Sequence, residues 1–320
     1  MIQLCEERTL LRFANHAVDS PLPLPNLSVA PASWDAPVLR IDTIAAVAQL
    51  QDVASWSFVW EDDEGGVSMR IGPALRGHRL RMYEMCDFLL DAERGAVSVE
   101  HLPHVDTDAI EHMLIDQALP RLLSERGELV VHAGAVCVDD QCVLVLGQSG
   151  WGKSTLVASF LQRGHMLLSD DCVVLHESGA GVLATPTYPS LRMFDDSIAQ
   201  AIGDDVEARP LAFYTNKRRI ALDEGRVGDM RRVRAIYVMN DPAMVSEIIT
   251  IAPVATMSGC LALIQHGFRL DVVSQAQHRV QLRQAAAMAE RVPVFALSFP
   301  RKYERRGDVV DHLLAHARSL

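Results

Sequence analysis

The spacing of apolar residues changes character near residue 105 of this 320-residue chain. Before that point apolar positions come in short runs: Val38-Leu-Arg-Ile41, Ser57-Phe-Val-Trp60 and Val67-Ser-Met-Arg-Ile71. These are strand-length runs, and Asp62-Asp63-Glu64-Gly65-Gly66 between the last two reads as a hairpin turn. Ser20-Pro-Leu-Pro-Leu-Pro-Asn26 is expected to be extended, because proline restricts both itself and the residue before it. No repeat or low-complexity tract occurs. Residues 1–105 therefore read as a small, mainly β domain.

From Asp106 or Thr107, either of which can cap a helix, the period lengthens. Ile110, Met113, Leu114, Leu122 and Leu123 form an apolar face, Pro120 is expected to kink the helix, and Gly127 suits its end. Strands are expected over 128–138 and 141–146, separated by Asp139-Asp140. A second helix carries Leu156, Val157, Phe160 and Leu161 and stops near Gly164. Strands follow at 166–169, 172–175, 233–239 and 292–297. Helices are expected over 274–291 and at the end, where Val309, Val310, Leu313, Leu314 and Ala317 share one face. Residues 106–320 thus read as α/β, with a sheet covered by helices.

Composition adds limits. The chain is 49% hydrophobic and 22% charged, as globular domains are, and its net charge of −11 argues against a nucleic-acid partner held by a general basic surface. No run of about 18 apolar residues exists, so no membrane span is expected. Glu6 and Glu7 stand where a signal peptide would be apolar. Six cysteines, Cys5, Cys86, Cys137, Cys142, Cys172 and Cys260, show neither CxxC nor zinc spacing and read as buried thiols of a cytoplasmic protein.

The chemistry concentrates at Gly147-Gln148-Ser149-Gly150-Trp151-Gly152-Lys153-Ser154-Thr155, which satisfies GxxxxGK[ST] with a strand before it and a helix after it. Glycines let backbone amides turn toward anionic oxygens, and the helix N-terminus adds partial positive charge. Lys153 is expected on the β- and γ-phosphates and Ser154 in a Mg²⁺ shell. Trp151 offers a ring to stack on or cover the phosphates. Asp170 and Asp171 close an apolar strand 23 residues beyond Gly147. One of the pair is suited to take a proton from an acceptor hydroxyl and the other to hold Mg²⁺, and residue type alone leaves open which does which. His132, alone, is an ordinary strand histidine. Lys217-Arg218-Arg219 could bring cations to a transferring phosphoryl group, with Arg192 a weaker candidate. Arg301-Lys302 and Arg305-Arg306 read as a solvated face or a surface for an acidic peptide.

Three stretches together resemble the bacterial HPr kinase/phosphorylase family: Val130-Val-His132-Ala-Gly-Ala-Val136, then 143–154, then Gln162-Arg-Gly-His165-Met-Leu-Leu-Ser-Asp170-Asp171. They look most like the branch found with peptide-modification genes, including lasso-peptide kinases. The resemblance implies a P-loop kinase core of the HPr kinase and phosphoenolpyruvate carboxykinase type behind the β domain. It also implies ATP and Mg²⁺, a serine hydroxyl on a peptide or small protein as acceptor, and homo-oligomeric assembly. Carried over residue by residue, it makes Asp170 the catalytic base, sets His132 beside it, and leaves Ser154 and Asp171 for the metal. The nucleotide would lie on 147–155 with Lys217 and Arg218, and the N-terminal region would read the acceptor.

The glycine- and asparagine-rich block that follows the aspartates in HPr kinases is absent, and the N-terminal region is as short as in the peptide-linked branch. Both count against HPr as substrate. The competing readings are a kinase/phosphorylase of HPr or of a small molecule, and a nucleotide-sensing module without catalysis. No LSGGQ-like segment supports a transport ATPase. Thr215-Asn-Lys-Arg218 lacks the aspartate that a GTPase uses to read guanine.

Overall fold

The computed structural model describes residues 4, 9–61, 65–179, 181–202, 207–222, 227–244 and 246–320. Residues 62–64 of the expected hairpin turn, and Cys5, Glu6 and Glu7, lie outside the described residues. The chain forms two compact units. Unit 1 holds 1–128, 212–214 and 268–279, and unit 2 holds 129–211, 215–267 and 280–320. The division after Glu128, rather than near 105, follows from the helices at 107–125, which belong with the N-terminal strands.

Unit 1 is built on nine strands: Leu11–Phe13 (β1), His16–Asp19 (β2), Ser28–Val29 (β3), Val38–Ala46 (β4), Phe58–Glu61 (β5), Val67–Pro73 (β6), His78–Met82 (β7), Cys86–Asp91 (β8) and Ala96–His101 (β9). Their order is β3-β1-β2-β4-β9-β8-β7-β6-β5. The β5–β6 pair is antiparallel, Phe58 opposite Ile71, so the two runs flanking residues 62–64 do pair. Asp106 caps helix Thr107–Met113 (α1) through its carboxylate and the Ala109 N–H. A π-turn over Leu114–Ala118 then leads into helix Leu119–Glu125 (α2). Pro120 sits in the first turn of α2, where a missing N–H costs nothing, and the widened turn before it replaces the expected kink.

Unit 2 carries Leu129–Val131 (β10), Ala133–Val138 (β11), Gln141–Leu146 (β12), Lys153–Gln162 (α3), Leu167–Ser169 (β13), Val173–Ser178 (β14), Gly181–Pro186 (β15), Ser190–Phe194 (β16) and Asp195–Ala201 (α4). It continues with Ala208–Ala212 (β17), Thr215–Ala221 (β18), Arg231–Met239 (β19), Thr250–Pro253 (β20), Thr256–Gln265 (α5), Gln275–Arg291 (α6), Val294–Ser298 (β21) and Arg306–Ser319 (α7), the boundary strand and helix being shared with unit 1. The main sheet runs β10-β14-β15-β19-β12-β11-β13, with β21 also on β19 and β20 on β21. A small sheet, β16-β18-β17, stands apart from it. The pairs β12–β19 and β19–β21 are parallel.

The single strand expected over 128–138 is two strands, broken at His132. β10 pairs with β14, whereas β11 pairs with β12 and β13. One residue spans at most about 7 Å of chain, while five strand spacings are about 24 Å. The sheet must therefore curl back on itself at His132.

Alternating positions of β11 and β12 explain why these runs are apolar throughout. Val136, Val138, Val143 and Val145 meet α3, α4 and α7 on one face. Ala133, Ala135, Cys137, Cys142, Leu144 and Leu146 meet α5 and α6 on the other. Cys137 and Cys142 face each other across this hairpin as free, buried thiols, as are Cys86, Cys172 and Cys260. Gly134 is required by contact, since a Cβ there would sit 2.6 Å from Val157 Cγ2 of α3. Among the described residues no helix is long and apolar enough to cross a membrane.

Candidate active site

The loop after β12 turns through Gly150 and Gly152, whose φ angles of 79° and 89° favour glycine, and Gly152 stands at the N-terminus of α3. A Cβ at either glycine would meet nothing within 4 Å, so the space over the loop is open. Gln148, Ser149 and Gly150 are exposed, while Lys153 and Thr155 are buried. Lys153 Nζ donates to the carbonyls of Gly147 (2.9 Å) and Gln148 (3.0 Å). Burial holds its pKa below the usual lysine range, with Asp171 and Asp170 pulling it back up. The first-turn amides of α3 have no acceptor within the helix, which suits an anion above them. α3 ends as expected at Gly164 (φ 81°), where the His165 N–H bonds the Phe160 carbonyl.

β13 delivers the acid pair. Ser169 Oγ donates to the Cys172 carbonyl at 2.6 Å, and Thr187 Oγ1 donates to the same carbonyl at 3.0 Å, closing a tight turn. Asp171 in that turn has φ 66°, a left-handed conformation that is uncommon outside glycine. Asp170 is fully buried. Its Oδ1 accepts from Ser154 Oγ at 3.0 Å and its Oδ2 from the Arg192 N–H at 3.1 Å. Burial, and next the adjacent Asp171, push its pKa up to about 8.

Asp171 is more accessible and has different neighbours. His132 Nδ1 donates to its carbonyl at 2.8 Å, which leaves Nε2 as the basic nitrogen, 3.6 Å from Asp171 Oδ1. Burial, followed by the Lys153 ammonium, lowers the His132 pKa to about 4, so the ring is neutral near pH 7. Arg192 Nη1 lies 3.8 Å from Asp171 Oδ2, and its guanidinium stacks 4.5 Å over the Tyr188 ring.

The strand β18 sorts the basic cluster. Lys217 acts electrostatically on His132, Lys153 and Asp170. Arg219 pairs across from Arg192. Arg218 points the other way, its Nε 2.6 Å from Asp195 Oδ1 and its Nη1 on the Ala208 carbonyl, so it is not gathered into the site. Alternation along a strand is the reason, and it makes Arg219 rather than Arg218 the companion of Lys217.

Arg192 is more central than its sequence context suggested, because β16 places both its backbone N–H and its guanidinium against the acid pair. His266 went unnoticed: its carbonyl accepts the His132 N–H at 2.7 Å, and the ring, its pKa lowered to about 4 by burial and then by Lys153, has no motif around it. Arg301 is not a solvated residue, since its Nη1 donates to the Trp151 carbonyl at 2.7 Å.

Among the described residues, no group of three or more His, Cys, Asp or Glu is placed to hold a metal ion. A Mg²⁺ here would lean on one or two carboxylates, Ser154 Oγ and phosphate oxygens, which is the usual habit of that ion. The donor set fits that role.

No family model matches the chain. Curated proteins named HPr kinase/phosphorylase do. That of Geobacillus sp. (strain WCH70) is 43% identical over 53 residues, 17% of each chain. That of Nitrosomonas europaea is 44% identical over 52 residues, 16% of each chain. That of Prosthecochloris aestuarii is 35% identical over 96 residues, 30% of this chain and 27% of its own length. The solved Hpr(Ser) kinase/phosphatase of Coxiella burnetii superposes with a TM-score of 0.33 at 14% identity, covering 59% of this chain and 96% of that one, a level that carries no architectural weight. The chain thus matches less than a third of the length of these curated relatives, and over that stretch it is similar to HPr kinase/phosphorylases.

Proposed function

We propose that this protein is an ATP-dependent kinase that moves the γ-phosphoryl group to a serine hydroxyl of a peptide or small protein, of the lasso-peptide type. One observation carries the reading: Lys153 and Ser154 at the head of α3 share a buried pocket with Asp170, sixteen residues on, while Asp171 and His132 flank it. The local similarity to HPr kinase/phosphorylases supports the same chemistry.

Positioning and charge neutralisation supply most of the catalysis in phosphoryl transfer. In this reading the amides of 147–155 and the Lys153 ammonium hold the phosphates, and Lys217, Arg219 and Arg192 face the developing charge. Bound Mg²⁺ supplies charge neutralisation between the β- and γ-oxygens, and Ser154 with one aspartate would hold it. The acceptor Oγ gives its proton to the other aspartate as the new O–P bond forms and the bond to the ADP oxygen breaks.

The family resemblance gives the proton to Asp170. The Ser154–Asp170 hydrogen bond favours a second assignment, in which Asp170 joins Ser154 at the metal and the more open Asp171, backed by His132, takes the proton. A base with a raised pKa is a stronger base once ionised, so the value near 8 at Asp170 suits either role above neutral pH.

Unit 1 is proposed to read the acceptor. A groove of about 680 Å³ on its sheet, bordered by Arg76, Arg79, Arg94, Asp42 and Asp91, is wide enough for an extended peptide. A cytoplasmic, homo-oligomeric enzyme without nucleic-acid or membrane partners completes the proposal.

The test is incubation with MgATP and candidate acceptors, followed by mass spectrometry for a single phosphoryl gain on serine. ATP binding without transfer to any acceptor, HPr included, would favour the sensing module instead. Transfer to HPr, reversed by phosphate, would favour the kinase/phosphorylase reading.

A further inference from the structure

Next to the glycine-rich loop lies a second, smaller cavity of about 150 Å³, lined by Gly150, Trp151, Gly152, Leu156, Pro242, Phe299, Arg301 and Arg306. Its size is that of a planar ring system rather than of a whole nucleotide. Trp151, Leu156, Pro242 and Phe299 make most of its wall apolar.

Its polar groups are unevenly supplied. The two backbone carbonyls at its rim that are able to accept from a base amino group, those of Trp151 and Asn240, are already held by Arg301, at 2.7 and 2.6 Å. Arg301 itself stacks 4.2 Å over Phe299, so it closes one wall and spends both terminal nitrogens on the loop. Arg306 stacks 3.9 Å over Tyr303, and its Nη1 is buried with no hydrogen-bond partner. A buried guanidinium nitrogen without an acceptor is costly, and an acceptor atom entering the cavity would remove that cost. No Asp, Glu, Asn or Gln side chain lines the cavity.

We infer that this slot holds the base of the nucleoside triphosphate, gripping it between apolar walls with one donor from Arg306 and taking adenine and guanine alike. The inference rests on the nucleotide reading above and deepens it. A slot that offers stacking surface and one donor, with its carbonyls occupied, has nothing with which to tell an amino group from a carbonyl on the purine edge. The slot opens at the turn of the loop itself, so only ribose and the α-phosphate separate a base there from phosphates over Lys153.

Calorimetry on the full chain with Mg²⁺ and three probes, ATP, GTP and inorganic tripolyphosphate, tests this. ATP and GTP should bind within about threefold of each other, and each about tenfold or more tighter than tripolyphosphate. Arg306→Ala should weaken both nucleotides about tenfold and leave tripolyphosphate unchanged. Tripolyphosphate binding as tightly as ATP would overturn the slot while sparing the phosphate loop. A tenfold or greater preference for ATP over GTP would show the base being read by hydrogen bonds and would also overturn it. If none of the three binds the wild-type chain, the nucleotide reading fails and this inference goes with it. The wild-type comparison needs no variant, so poor folding of Arg306→Ala would not shield the proposal.

Discussion

Ser154 Oγ and Asp170 Oδ1 meet across 3.0 Å, joining the start of α3 to the turn after β13. The contact ties the residue best placed for a metal shell to a carboxylate whose other oxygen is held by the Arg192 N–H. Asp170 is therefore fixed in direction, and Asp171 is left as the outward-facing member of the pair. The two acids differ in environment although they are adjacent in sequence, and that difference can be measured.

Asp170→Asn and Asp171→Asn should separate the two roles. The variant at the metal should lose the Mg²⁺ dependence of ATP binding. The variant at the base should bind MgATP normally and lose transfer by about 100-fold or more, as removal of a general base typically does. Calorimetry with and without Mg²⁺, beside single-turnover phosphorylation, distinguishes them. If both variants transfer at the wild-type rate, neither aspartate belongs to the mechanism.

Lys153→Ala should reduce transfer about 100-fold or more through lost phosphate positioning, with the fold intact. The ammonium contributes charge to the site, and α3 starts from Gly152 regardless. Circular dichroism and kinetics on the same preparation provide the check. A rate within a few fold of wild type would remove Lys153 from the site.

Gly134→Ala should destabilise unit 2 by about 1–3 kcal/mol, since the new methyl meets Val157 Cγ2 at 2.6 Å in a packed core. Because Val157 lies one turn beyond Lys153 on α3, ATP affinity should fall as well. Adding Val157→Ala should return part of both losses. Urea denaturation of the single and double variants reads this out, and additive losses in the double variant would place the strain elsewhere.

Glu128 should make unit 1 less stable as pH rises. Burial raises its pKa to about 7, so the folded chain favours the protonated acid. That contribution is complete below about pH 4.5 and is lost as pH climbs through 7. His16, whose Nε2 lies 3.3 Å from Glu128 Oε1, works in the opposite direction. Burial, then Arg126, lowers its pKa to about 4, so its contribution is present above pH 6.5 and lost as pH falls toward 4. Glu128→Gln should abolish the loss between pH 5 and 8 and be more stable than wild type at pH 8, by on the order of 1 kcal/mol. Thermal melts at the two pH values decide it, and identical pH slopes would show that Glu128 is solvated.

Much of this protein was legible as sequence because it is local. Positive-φ glycines before Lys153, a stop at Gly164 and the doubly buried runs at 133–138 and 141–146 depend on residues a few positions apart, and the pattern carries them. The acid pair and the loop were visible for the same reason. What tertiary structure alone decided spans longer separations. It broke the strand at His132, bonded Ser154 to Asp170, brought the Arg192 amide onto that carboxylate, and turned Arg219 rather than Arg218 toward the acids. It also bent Arg301 back onto the loop. Pairing register and sheet curvature set these contacts, and both are settled by the packing of two helical layers on one sheet, which no single segment encodes.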